Sequence, residues 1–394
     1  MALPLFDATD PTFHENPYAF YRQYREAAPV QPGLPLQPGH HGEDWHIFGY
    51  REATQVLKDP RLVRSALIRN RPDFARGALS ILMMDPPDHT RIRQLVSHAF
   101  TPRAIARFAP LIDDLTEEVL AETDGRTRFD LVTDLAYPLP VTVISALLGI
   151  PLEDRVAVRR WSHAITAALD VVTDAATFAE AQRAHAALGA YLRDALQDRR
   201  RNPHADLLTD LLAAEEGGDR LNDEELTALL TLLVVAGHET TVNLITNGLW
   251  ALWHHPAALD RVRNEGLSVT GVEELLRFDA PVQATARVSR AELTVSGETV
   301  PAGAVVVVWL AAANHDPTVF ADPDRLDLDR EPNRHLAFGG GIHTCLGGAL
   351  AATEGRAALT ALLRHHPDLE VVESSAQWRT GVLFRGLEAL TVQV

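Results

Sequence analysis

Apolar residues recur at three- and four-residue spacing through most of the middle of the chain. Between residues 105 and 200 the pattern passes through Leu111, Leu115, Leu147, Trp161, Ile165 and Leu196, which predicts a series of packed helices. Shorter helical runs are expected over 17–28 and 51–58, with a helix start at Asp85-Pro86-Pro87-Asp88, where prolines and acids suit a first turn. Extended segments cluster elsewhere: 45–48, 281–287, 293–295 and 305–310, the last two separated by Gly297 and the turn Pro301-Ala302-Gly303. The tail, 382–394, alternates as a terminal hairpin or strand pair would. Residues 29–42 and 64–84 show no clear period. The pattern predicts a mainly α chain with small β-sheets.

One helix stands out. Asn222 with Glu225 three residues on forms a capping-box signature, and an almost continuously apolar pattern then runs to Trp253, where Pro256 ends it. At about 34 residues it spans roughly 50 Å, so it must cross the interior, buried on most sides. Inside it lie small Ala236 and Gly237, which let something flat approach, followed by Glu239 and Thr240, an acid and an alcohol in apolar surroundings. His238-Glu239 opens an H-E-x-x-H zinc pattern, but Val242 stands where the second histidine belongs, which removes that reading.

Composition narrows the class. A formal net charge of −17 argues against general nucleic-acid binding. A single cysteine excludes internal disulfides, Cys-x-x-Cys zinc or redox sites, iron–sulfur clusters and covalent c-type haem attachment. The first residues hold Asp7, Asp10, His14 and Glu15 and no apolar run long enough for a signal peptide or anchor, so a soluble, cytoplasmic protein without membrane attachment is expected.

That cysteine, Cys345, sits in the glycine-rich stretch Phe338-Gly339-Gly340-Gly341-Ile342-His343-Thr344-Cys345-Leu346-Gly347, just ahead of a helical run over 349–365. Helix N-termini favour thiolates, and glycines let backbone N–H groups approach a large sulfur or a flat cofactor. Phe338, Gly341, Cys345 and Gly347, at the spacing F-x-x-G-x-x-x-C-x-G, resemble the haem-binding loop of the cytochrome P-450 family. Further motifs in that family's order strengthen the resemblance. His89 and Arg93 match its H-x-x-x-R. Ala236 to Thr240 match A-G-x-[D/E]-T, and Glu274-Leu275-Leu276-Arg277 matches E-x-x-R, with Arg330 at the position of its later arginine partner. Ala313-Asn314-His315-Asp316-Pro317 resembles the family's A-N-R-D-P, with His315 replacing the commoner arginine.

The resemblance implies the P-450 fold as a single large domain over residues 1–394, with a β-containing part at about 1–64, a helix-rich part at about 85–280 and a β-rich, haem-loop part at about 281–394. It implies non-covalent haem b with Cys345 thiolate as the axial metal ligand. His89, Arg93, Arg287 and His343 would meet the propionates, and Ala236, Gly237, Phe338 and Gly347 would pack around the ring. Glu239 and Thr240 become the catalytic pair that moves protons. Glu274, Arg277 and Arg330 become a structural ion-pair network. The substrate pocket is expected to include Leu79, Leu82, Met83, Leu232, Val235, Val282, Gln283, Leu383 and Phe384, with no arginine or lysine evident there.

The expected reaction is therefore insertion of one oxygen atom from O2 into a mostly apolar small organic substrate, by C–H hydroxylation or epoxidation. Electrons would come from a ferredoxin and an NAD(P)H-linked ferredoxin reductase, docking near Arg91, Arg103 and Arg356. The family default is a monomer. A peroxide-driven haem-thiolate enzyme and a non-catalytic haem sensor are the rivals.

Overall fold

A computed structural model describes residues 4–8, 10, 13, 16–36, 43–68, 80–168, 174–216 and 218–394. The predicted long helix runs Asp223–Trp253, 31 residues, and its capping box forms as expected. The Asn222 side chain accepts the Glu225 N–H at 2.9 Å, and the Glu225 carboxylate accepts the Asn222 N–H at 2.9 Å. Helices Pro138–Leu147, Arg155–Ala167, Ala175–Arg201, Val269–Phe278 and Gly348–His365 pack around it. Its length and apolar character would suit a membrane span, but most of it is buried by these neighbours.

The β-structure lies to one side. Five strands form a sheet in the order Val30–Gly33, Asp44–Ile47, Val305–Trp309, Ala284–Ser289, Leu62–Val63. The central strand is buried at every residue, as its run of four valines suggests for a strand covered on both faces. Its antiparallel register with Ala284–Ser289 sets Val306 opposite Arg287, which fixes where that buried arginine enters the interior. A large helical core and a smaller cluster beside the sheet account for the buried apolar residues.

The tail differs from the sequence expectation. Leu387–Ala389 pairs with Gln377–Trp378, whereas Thr391–Gln393 lies between Glu370–Val371 and Arg128–Asp130. The two terminal strands therefore belong to different sheets, not to one hairpin. Alternation marks each as half-buried but does not choose its partner.

Candidate active site

Cys345 stands three residues ahead of helix Gly348–His365, and its loop is shaped by glycines. Gly341 has φ +69°, and a Cβ there would collide with the Leu57 carbonyl oxygen, so only glycine fits. The Cys345 N–H donates to the Phe338 carbonyl at 2.8 Å, and the Phe338 ring packs flat on Gly348. Protein surrounds the sulfur on most sides, and burial pushes its thiol up, while the Gly347 N–H and Arg93 pull it down. The residue is nonetheless accessible, because its free side faces a cavity of about 370 Å³ lined by Arg93, Phe100, Phe338 and Ala349, among others.

The central helix has a matching gap. Ala236 is exposed and Gly237 is half-buried, although both sit mid-helix among fully buried neighbours. A Cβ added at Gly237 or at Gly347 would meet no protein atom within 4 Å. Open space therefore lies beside both glycines, which a planar cofactor would need.

Charge completes the cradle. Arg64, His89, Arg93, Arg287 and His343 converge, with Asp85 as the carboxylate facing them. Burial lowers Arg287 to about 10 and Arg64 to about 9, the latter also repelled by Arg287. Burial, Arg287, Arg64, His89 and Arg93 together push His343 down to about 2. The His89 Nδ1 and Arg64 Nε atoms are buried without a hydrogen-bond partner. Buried positive charge with unpartnered nitrogens is costly unless anions meet it. Two propionates fit this demand, and the residues present fit haem. Arg64 was absent from the sequence reading; it lies in an aperiodic stretch with no motif around it.

The Thr240 hydroxyl donates to the Ala236 carbonyl at 2.9 Å within its own helix. Glu239 is buried; Oε1 pairs with Arg379 and Oε2 has no partner. Arg379 was also missed; it lines a small cavity with Gln283 and Phe384, two of the expected pocket residues, so a guanidinium does stand beside them. His238 turns the other way, its Nδ1 3.2 Å from the Ser162 hydroxyl and its ring against Tyr137. Burial, Arg159 and His163 drive it down to about 3, so it is neutral.

Glu274, Arg277 and Arg330 meet. Arg277 donates to both Glu274 oxygens at 2.7 and 2.8 Å, and Arg330 Nε lies 3.1 Å from each. Arg277 also donates to the Asn314 carbonyl at 3.0 Å, and the Asn314 Oδ1 accepts the Leu336 N–H at 2.6 Å. The network thus anchors the start of the cysteine loop. His315, in place of the usual arginine, bridges the Phe278 carbonyl at 2.9 Å and Asp324 at 3.1 Å.

Of the expected substrate-pocket residues, Leu79 lies outside the described residues. Leu82, Met83 and Leu232 are half-buried, and Val235 is buried. Val282 and Phe384 meet in a β-bridge, and the Leu383 carbonyl accepts the Gln283 N–H at 2.9 Å. The Gln283 side chain is turned to the N-terminal helix Pro17–Ala27. There it accepts the Tyr21 hydroxyl at 2.8 Å and donates to the Ala280 carbonyl at 2.6 Å, so it is committed to structure. Arg91 is likewise occupied, pairing with Asp219 and Glu225, which removes it from an open basic patch.

Comparison with known proteins gives one family. The cytochrome P450 family model matches residues 39–378. The chain is 40% identical over 393 residues to cytochrome P450 monooxygenase PikC of Streptomyces venezuelae, covering 97% of this chain and 92% of that protein. Its structure resembles the bacillaene polyketide synthase cytochrome P450 PksS of Bacillus subtilis 168, with TM-score 0.91, 37% identity and 99% of both chains covered. It also resembles P450BioI bound to an acyl carrier protein carrying hexadec-9Z-enoic acid, with TM-score 0.89, 35% identity, and 97% and 99% of the two chains covered.

Proposed function

This chain belongs to the cytochrome P450 family and is a monooxygenase binding haem b through a cysteine thiolate, Cys345; from that premise we propose how its own residues serve the reaction and on what. The observation that carries the reading is an accessible Cys345 in its glycine-shaped loop together with the exposed Ala236–Gly237 turn of an otherwise buried helix. When bound, the haem supplies the oxygen-activating chemistry, with the thiolate donating electron density to iron.

The chain's part is positioning and proton handling. His89, Arg93, Arg287, His343 and Arg64 hold the two propionates. Ala236, Gly237 and Gly347 admit the ring faces. Thr240 presents a hydroxyl at the edge of the slot, and Glu239, one residue before it, is the buried carboxylate that exchanges protons with solvent. Glu274, Arg277 and Arg330 keep the cysteine loop in place.

The substrate is a mostly apolar small organic molecule, undergoing C–H hydroxylation or epoxidation beside Leu82, Met83, Leu232, Val235, Val282, Leu383 and Phe384. Electrons arrive from a ferredoxin and its NAD(P)H-linked reductase. Arg103 and Arg356, for which no acidic partner is found among the described residues, support a docking face next to the cysteine loop. The protein acts as a cytoplasmic monomer.

The test is turnover under 18O2 with ferredoxin, reductase and NADPH, using substrates that shift the haem spin state, offered free and attached to an acyl carrier protein. One 18O atom per product, dependent on the redox proteins, is expected. Product formed only when peroxide is added would make the enzyme peroxide-driven; spin shifts with no product from any donor would make it a binding protein.

A further inference from the structure

The central helix carries a second polar feature, on the face toward the C-terminal turn. Glu239, Asn243 and Asn247 follow one another at four-residue steps, so they line one face. They are 2%, 0% and 1% exposed. From Glu239 to Asn247 the stripe covers about 12 Å of helix axis.

Its partners come from the turn between Gln377–Trp378 and Leu387–Ala389 and from Asp279. Arg379 pairs with Glu239. Gly386 abuts the Asn243 amide so closely that a Cβ there would collide with it. The Asn247 Nδ2 donates to the carbonyls of Arg385 at 3.0 Å and Asp279 at 3.4 Å. Four polar atoms on the stripe have no hydrogen-bond partner: Glu239 Oε2, both Asn243 amide atoms and Asn247 Oδ1.

An unsatisfied buried amide is costly, and leucine would pack in its place at no such cost. Buried polar groups that persist without protein partners are the usual sites of bound water. Here they are consecutive and end on a proton-exchanging carboxylate. The outer end reaches Asp279, which accepts the Tyr18 hydroxyl at 2.7 Å and Arg385 Nε at 3.1 Å. Nearby, Gln283, Arg379 and Arg385 line a cavity of about 10 Å³, room for about one water.

We propose that this stripe is a hydrated proton inlet: water held by Asn243 and Asn247 links Glu239 to the Asp279–Tyr18–Arg385 cluster beneath the N-terminal helix, with Arg379 holding the Glu239 carboxylate at the inner end. For each proton Glu239 releases toward the slot, one enters from solvent along the water file. No electrons move and no heavy-atom bond changes. The inlet rests on the reading of Glu239 as the proton-exchanging acid.

The test uses the holoenzyme with its redox proteins and a spin-shifting substrate. Asn243→Leu removes the orphan amide at similar volume. It is expected to keep the haem spectrum and the unfolding midpoint, to slow substrate-dependent reductant consumption about tenfold, and to raise the solvent isotope effect in D2O. Glu239→Gln is expected to do the same, and the double variant to be no slower than Glu239→Gln alone. Wild-type turnover and isotope effect in Asn243→Leu, with a slowed Glu239→Gln, overturn the inlet and leave the role of Glu239 intact. A Glu239→Gln enzyme with wild-type values overturns that role and the inlet with it. A high-resolution crystal structure of the wild-type protein decides independently of turnover. Ordered waters between Glu239 Oε2 and Asn247 Oδ1 are expected, and a dry interface there contradicts the proposal.

Discussion

His89 and His343 pack with their rings tilted at 60° and centroids 4.4 Å apart, one from helix Asp88–Ser97 and the other from the cysteine loop. Two imidazoles are brought together among three arginines, with a single carboxylate facing them. Burial, Arg287, Arg64, His89 and Arg93 keep His343 neutral, so the pair presents ring N–H donors rather than more positive charge. Such a cluster favours anions, and on the proposed reading Arg64 shares in haem binding with His89, Arg93, Arg287 and His343.

Arg64→Leu is therefore expected to speed haem transfer to an excess of apo-globin about tenfold or more, the effect of losing one hydrogen bond to a charged group. An unchanged transfer rate would remove Arg64 from the propionate site.

Two glycines of the cysteine loop separate cofactor contact from backbone need. Gly347 has φ −88° and open space where a Cβ would be, so Gly347→Ala should fold and weaken haem retention. Gly341 has φ +69° and the Leu57 carbonyl against it, so Gly341→Ala should lower the yield of folded protein, at a cost above about 1 kcal/mol. The paired measurements are soluble yield and haem content; identical behaviour of the two variants would contradict the assignment.

Thr240→Ala should keep its haem and consume reductant while losing product to peroxide, with yield per reductant falling about tenfold or more. Product and peroxide assays in one reaction check this. An unchanged product yield would take Thr240 out of proton handling.

Removing Glu274 strands two buried guanidinium groups. Glu274→Ala should cost about 3–5 kcal/mol and release the cysteine loop, seen as a lower denaturant midpoint and lost haem. A stable, haem-replete variant would show that the network is dispensable.

Glu354, nine residues after Cys345, is buried, and burial raises its carboxyl well above 4.5. Because the folded state favours the protonated form, stability falls as pH rises from about 4.5 toward the folded value. Glu354→Gln should therefore match wild type near pH 4 and unfold at a higher temperature at pH 8. Equal melting temperatures at both pH values would mean that the carboxyl finds a counter-charge.

The parts of this site legible in the sequence are those that a short spacing specifies. Cys345 with its glycines, the Ala236–Thr240 run and Glu274 with Arg277 each sit within one loop or one or two helical turns, so their geometry follows from local structure. Arg64 and Arg379 reach the site only through tertiary packing, and neither carries a local signal. Gln283 illustrates the converse: the sequence places it among pocket-lining residues, but its side chain is turned away by the hydroxyl of Tyr21, which is 262 residues away. The terminal strands show the same limit, since alternation identified strands whose partners lie in Arg128–Asp130 and Gln377–Trp378.

The central claim is that Cys345 thiolate holds the haem, and the absorption spectrum of the reduced, CO-bound protein tests it most directly. Wild-type protein with one haem per chain should show the long-wavelength Soret band of a thiolate ligand, and Cys345→Ser should lose that band together with most of its haem. A wild-type band at the shorter wavelength of nitrogen ligation, or an unchanged band in Cys345→Ser, would contradict the account.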